Sequence, residues 1–242
     1  DAEAANNNNN DNDENEQFID DGIKLVISYG QLLRFQNVYG VGNNEYGELG
    51  LSEIKEKLKF VKMKVKDIER VYSADGNFFM VRGDEQNNHI LSAGNNNWCQ
   101  LGLGRGNHRT IMKYSKIKKF KNVLFVSKGL NSTHTLFVMK DYSIYCCGNN
   151  TMNQLGIANN GNVVQEQPKQ MTLKKTPFLK DKIFDIKCGL MHTLFLTQSG
   201  KLYGIGGNED GQIGLGKKNT DQEIDKLTLI KGINGKIIKI EC

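Results

Sequence analysis

The sequence predicts an all-β fold, a β-propeller of four-stranded blades, on three observations. A glycine-rich nonapeptide recurs four times: GNNEYGELG at 42–50, GNNNWCQLG at 94–102, GNNTMNQLG at 148–156 and GGNEDGQIG at 206–214. Between the copies lie strand-length apolar runs, and no stretch keeps a helical stripe. The 242 residues hold 26 Gly and 28 Asn but only 2 Pro, which suits many tight turns and short strands.

In isolation GNNEYGELG reads as a phosphate-cradling loop. Its first glycines, Gly42, Gly94, Gly148 and Gly206, are separated by 52, 54 and 58 residues. That period marks a repeat architecture and excludes a singular ligand loop. No copy ends in Gly-Lys-Ser/Thr, which a phosphate loop of the Walker type requires. The shared residues are instead assigned to shaping the chain: Gly42, Asn44 and Gly50; Gly94, Asn96 and Gly102; Gly148, Asn150 and Gly156; Gly206, Asn208 and Gly214. Leu49, Leu101, Leu155 and Ile213 are expected to plug back into their blades.

Each repeat supplies further strands. NVLFVSKG (122–129) aligns with KIFDIKCG (182–189), and KIIKIEC (236–242) follows the same pattern as the opening of a fifth repeat. HTLFVM (134–139) and HTLFLT (192–197) come next, then SIYCCG (143–148) and KLYGIG (201–206). The second repeat has VYSADGNFFMVR (71–82), with Asn77 in place of His and a polar insertion, GDEQNNH, at 83–89. A fourth strand is predicted in LKFVKMKVK (58–66), IMKYSKIKK (111–119), KQMTLKK (169–175) and KLTLIKG (226–232). Lys62, Lys64 and Lys66 alternate there with Val61, Met63 and Val65, the pattern of an outermost strand whose lysines block edge pairing. A basic patch for nucleic acid is the alternative reading.

Composition divides the chain. Residues 1–21 carry eight acidic side chains and no Lys or Arg, so all 32 basic groups and 19 of the 27 acidic ones lie beyond them. We read 1–21 as an acidic, Asn-rich disordered tail or linker and 22–242 as the propeller repeats. No apolar run reaches the ~20 residues of a membrane helix, so membrane insertion is not expected. Five cysteines without a C-x-x-C pair favour a reducing, intracellular compartment, cytoplasmic or cytoskeletal ahead of nuclear.

No catalytic residue, cofactor site or metal site emerges. His134 and His192 stand beside Thr at equivalent repeat positions, which marks a recurring structural hydrogen bond. Cys188 and Cys242 are equivalents and read as small core residues, whereas Cys146 and Cys147 adjoin on one strand and face opposite sides. Partner contact is assigned to positions that break the repeat: Trp98, the lone Trp, and Arg105, His108 and Arg109 in GRGNHRT (104–110).

These motifs resemble the regulator-of-chromosome-condensation repeat. The likeness rests on Lys128-Gly129 and Cys188-Gly189, His134-Thr135 and His192-Thr193, the apolar runs into Gly148 and Gly206, and the G-x-N-x-x-G-Q-L-G loop. It spans about residues 23–242 and implies a seven-bladed propeller, of which this chain supplies about four blades and part of another, as a fragment of a longer protein. Three departures stand out. The sixth loop position keeps Gly47 and Gly211 but has Asn153 and Cys99, and Cys is expected to distort the second loop. The first repeat is abbreviated before Gly42. The fifth stops before its glycine. The resemblance implies a non-catalytic scaffold that binds other proteins, within a multi-protein assembly. The alternative it implies is guanine-nucleotide exchange on a small Ran-like GTPase. The acidic N-terminus argues against the family's chromatin-binding mode, so nucleic acid is disfavoured as a partner.

Overall fold

The computed structural model describes residues 23–30, 34–53, 56–74, 76–83, 87–104, 109–118, 120–157, 164–170, 181–216 and 223–242. Fifteen strands and no helix occur among them. The first blade comprises β1 (Ile23–Gly30), β2 (Arg34–Gly42) and β3 (Lys57–Lys62). The second comprises β4 (Ile68–Ala74), β5 (Asn77–Gly83), β6 (Asn88–Gly94) and β7 (Ile111–Lys116). The third follows with β8 (Val123–Ser127), β9 (His134–Met139), β10 (Ile144–Asn149) and β11 (Val164–Gln170). The fourth has β12 (Ile183–Cys188), β13 (His192–Thr197), β14 (Leu202–Gly207) and β15 (Glu223–Leu229).

Every pairing is antiparallel between sequence neighbours, the meander of a propeller blade. The one exception joins β2 to β4 through the single pair Phe35↔Ile68, which links the first two blades into one sheet. Alternation of side chains explains why the blades stack. Along β9, Leu136 and Val138 enter a core shared with the fourth blade, while Phe137 and Met139 enter one shared with the second. Phe137 lies 4.8 Å from Phe120 and 5.9 Å from Phe79, ring centre to ring centre. The second, third and fourth blades therefore each bury two apolar faces, which no blade could do alone. Cys146 and Cys147 divide in the same way, one into each core.

Polar clamps join the second blade to the third. Asn88 is fully buried; its Oδ1 accepts from Val123 N at 2.7 Å and its Nδ2 donates to Val123 O at 3.1 Å. The Arg70 guanidinium donates to the carbonyls of Val123 and Leu124.

Several expected boundaries shift. The fourth strand of the third blade is β11, earlier than 169–175, of which 171–175 lie outside the described residues. The corresponding strand of the fourth blade starts three residues sooner than expected, at Glu223. KIIKIEC forms no strand, because a strand needs a ladder partner and no described segment pairs with it. It packs instead by Ile237 and Ile240 against Leu194, Leu196 and Leu202. Cys188 is buried as expected but Cys242 is exposed, since the segment that carries it never enters a blade. The acidic segment 1–21 lies outside the described residues.

The strand expected at 58–66 ends at Lys62, but the Lys–apolar alternation continues beyond it. Lys62, Lys64 and Lys66 are exposed, while Met63 and Val65 are buried against the second blade. On the first blade's other face Leu58 and Phe60 stand exposed.

Candidate functional site

Antiparallel strands give the propeller two ends. The glycine corners and the loops between the first and second strands of each blade share one, here called the corner end. The hairpins between second and third strands, and the connections between blades, share the other, the hairpin end.

The four corners are built alike. Asn44, Asn96, Asn150 and Asn208 are buried, and each side-chain oxygen accepts from the amide of Leu49, Leu101, Leu155 or Ile213 at 2.9, 2.9, 2.9 and 3.1 Å. This is an Asx-type closure of the turn, and it pins the apolar plug in the core. The Glu or Gln before the plug folds back on the preceding turn: Glu48, Gln100, Gln154 and Gln212 accept from Tyr46, Trp98, Met152 and Asp210 amides at 2.9, 2.9, 2.9 and 3.0 Å. Gly148 shows why the first position is glycine. Its φ of 106° is matched by 109°, 110° and 107° at Gly42, Gly94 and Gly206, and a Cβ there would sit 2.5 Å from Thr133 O.

The second corner is not distorted, contrary to expectation. Cys99 adopts φ 59° and Asn153 φ 57°, beside 67° and 71° for Gly47 and Gly211. The bond from Cys99 N to Asn96 O is 2.9 Å, like its equivalents. Side-chain and backbone hydrogen bonds on both sides of Cys99 impose the left-handed turn, and they outweigh a conformational cost of about 1–2 kcal/mol for the Cβ.

The two histidines do not repeat one bond. His134 is fully buried, and its Nε2 donates to Thr193 Oγ1 of the next blade at 2.9 Å, because the Thr193 proton goes to Gln154 O at 2.7 Å. Ser132 Oγ lies 3.2 Å from the other ring nitrogen. Burial, reinforced by the Lys128 ammonium, holds this imidazole well below its ordinary titration range, so it is neutral. His192 is only half-buried, its ring lying over Gly189. In the second blade Asn77 replaces histidine and turns to Asn95 O at 2.7 Å. Thr135, the counterpart of Thr193, consequently has a buried hydroxyl without a partner.

No group of three His, Cys, Asp or Glu with the disposition of a metal site occurs among the described residues. The repeated polar groups thus serve the turns and the joints between blades. Exposed apolar side chains also stand at the corner end. Trp98 is 36 % exposed on the second corner, and Leu130 and Leu190 stand out 58 % and 51 % at equivalent loop positions of the third and fourth blades. Arg109 is exposed, whereas Arg105 and His108 lie outside the described residues. Sequence reasoning missed the two leucines, although Lys128-Gly129-Leu130 and Cys188-Gly189-Leu190 align. An apolar residue repeated in register reads as core until a fold shows which way it points.

Fold and corner geometry define a β-propeller assembled from tandem repeats. Residues 143–196 match the Regulator of chromosome condensation (RCC1) repeat, and residues 185–212 match a second description of it. Residues 143–212 therefore carry repeats of this kind. It is 33 % identical over 147 residues to the X-linked retinitis pigmentosa GTPase regulator of Canis lupus familiaris, covering 57 % of this chain and 14 % of that protein. It is 24 % identical over 208 residues to the probable E3 ubiquitin-protein ligase HERC6 of Homo sapiens, covering 85 % of this chain and 20 % of that one. Among solved structures, yeast RCC1 (Prp20) bound to Kap60 superposes with a TM-score of 0.72 at 19 % identity, over 87 % of this chain and 47 % of the yeast chain. The chain therefore spans a minor part of each of these proteins.

Proposed function

We propose that this propeller is a non-catalytic platform for other proteins, within a larger protein or assembly. The observation that carries this reading is the division of labour at the corner end. The recurring Asn and Gln or Glu side chains of the corners are consumed by the fold, while Trp98, Leu130 and Leu190 present apolar surface on three successive blades. Aromatic and aliphatic anchors of this kind serve as hot spots in protein interfaces. A reducing compartment goes with this reading, since Cys99, Cys146, Cys147 and Cys188 are buried thiols outside any disulfide.

The second reading is exchange on a small Ran-like GTPase, supported by Saccharomyces cerevisiae Prp20p, which has binding properties to Gsp1p and histones. Exchange would be differential affinity for the nucleotide-free state and would need no bond chemistry. Nucleotide-release assays with a panel of Ran- and Rab-like GTPases separate the two. The platform reading expects no acceleration by the chain together with stable co-purification in a complex. Catalysed release would replace it with the second reading, and a protein that runs alone would refute it.

A further inference from the structure

Beyond β15 the chain leaves the sheet. Ile230 still donates its amide to Leu202 O at 2.9 Å, and residues 231–242 form no strand. Residues 231–236 are exposed and bend at Gly235, with φ 87° at Gly232 and 94° at Gly235. A Cβ at either glycine would meet nothing within 4 Å among the described residues. The bend is an Asn-Gly pair, Asn234-Gly235. The other Asn-Gly pair of the sequence, Asn160-Gly161, lies outside the described residues. A small residue after Asn or Asp leaves the side-chain carbonyl open to attack by the next backbone amide. Two such places are closed by hydrogen bonds. In Asn131-Ser132 the buried Ser132 donates its amide to Gly129 O at 3.2 Å. In Asp210-Gly211 the Gly211 amide donates to Asn208 O at 3.0 Å within the fourth corner. The Gly235 amide makes no hydrogen bond among the described residues.

We infer that Asn234 is a site of spontaneous deamidation, and that its isoaspartyl product loosens the cap that the following residues form on the fourth blade. The Gly235 nitrogen gives its proton to base and bonds to Asn234 Cγ. The Cγ–Nδ2 bond breaks, and ammonia leaves with a proton returned by the base. Water then opens the five-membered imide at either carbonyl. Opening at Cγ gives an aspartyl residue. Opening at the main-chain carbonyl leaves the backbone running through Cβ and Cγ, one methylene longer, with a free α-carboxylate. The reaction consumes water alone and changes no oxidation state. Its consequence lies just downstream. The Lys236 stem lies over Gly200, and Ile237 and Ile240 pack against Leu194, Leu196 and Leu202. The cap has no ladder partner among the described residues, so side-chain packing alone sets its register. A methylene inserted between its anchor at Ile230 and these contacts displaces them. The inference does not depend on the platform reading, since it concerns one bend and the blade beside it.

Ageing the full 242-residue chain in mildly alkaline buffer, with peptide mass spectrometry and amide hydrogen exchange as readouts, tests it. Replacement of NH2 by OH is expected at Asn234 as two products, isoaspartyl and aspartyl, at the same rate in the folded chain as in urea. Asn131 should do the opposite and react at least about fivefold faster in urea, the hold of one backbone hydrogen bond. Amide exchange over β13 and β14, which the cap covers, should speed up on ageing by at least about fourfold, the worth of one buried methylene. Asn234→Asp, which carries the charge without the longer backbone, should exchange like the fresh chain. Asn234→Gln, whose imide ring would be six-membered, should show no rise when aged alike. An Asn234 amide that survives in the folded chain but is lost in urea would overturn the site. Exchange unchanged by ageing, or raised equally by Asn234→Asp, would overturn the loosened cap.

Discussion

Replacing Thr193 and Thr135, one at a time, by the isosteric valine puts the joint between blades to a sharp test. The two threonines occupy the same repeat position, are both fully buried, and differ only in what the preceding blade offers. Thr193 Oγ1 accepts from His134 Nε2 at 2.9 Å and donates to Gln154 O at 2.7 Å. Thr193→Val strands a donor and an acceptor in a buried interface, at about 1–3 kcal/mol each, so a loss of roughly 2–6 kcal/mol is expected. Thr135 Oγ1 has no partner, because Asn77 does not extend to it as His134 extends to Thr193. Thr135→Val removes an orphan hydroxyl and is expected to be neutral or to stabilise by about 1 kcal/mol. Urea unfolding of both variants reads the difference directly, as a midpoint shift at constant slope. Equal losses at the two sites would refute the assignment of the joint to the His–Thr–carbonyl chain.

Asn150→Ala removes the acceptor for the Leu155 amide and should cost about 1–3 kcal/mol, with Asn96→Ala costing the same because the corners are alike; denaturant midpoints check both. Cys99→Gly should release about 1–2 kcal/mol of backbone strain at φ 59° while forfeiting a buried side chain, leaving thermal stability nearly unchanged. Acid should weaken the fold through His134. Burial depresses its folded pKa below the unfolded 6.5, so the unfolded chain binds the extra proton. Stability is then full above about pH 6.5 and falls by up to about 1.4 kcal/mol per unit as the pH drops below it. His192, shifted the same way by burial, adds to this slope. Unfolding followed against pH should show a shallower slope in His134→Gln, and an unchanged slope would contradict the neutral buried ring.

The corners were legible because they are local. Asn150 accepts from the Leu155 amide and Gln154 from the Met152 amide within a single turn, so a nine-residue pattern contains that geometry. The strand runs were legible through their length and their Gly and Asn punctuation. Long-range chemistry was not. Asn88 sat in what read as a polar insertion, yet it heads β6 and copies a backbone ladder for Val123, 35 residues away. Cys99 showed the reverse limit: its intrinsic preference argued for a distorted corner, and surrounding hydrogen bonds overrode it. Leu130 and Leu190 belong to the candidate surface only because the fold turns them outward, a direction that hydrophobicity does not encode.

The central claim is that the buried polar residues of the repeats hold the propeller and the exposed apolar residues at the corner end hold its partners. The full chain carrying Trp98→Ala, Leu130→Asp and Leu190→Asp tests it most directly, by quantitative co-purification beside the parent protein. All three side chains are exposed or at the margin of exposure, so the melting temperature should stay within about 2–4 °C, the shift that roughly 1 kcal/mol produces in a chain of this size. The account predicts that partners recovered with the parent are lost with this variant while its fold persists. Full recovery of those partners by the triple variant would contradict it.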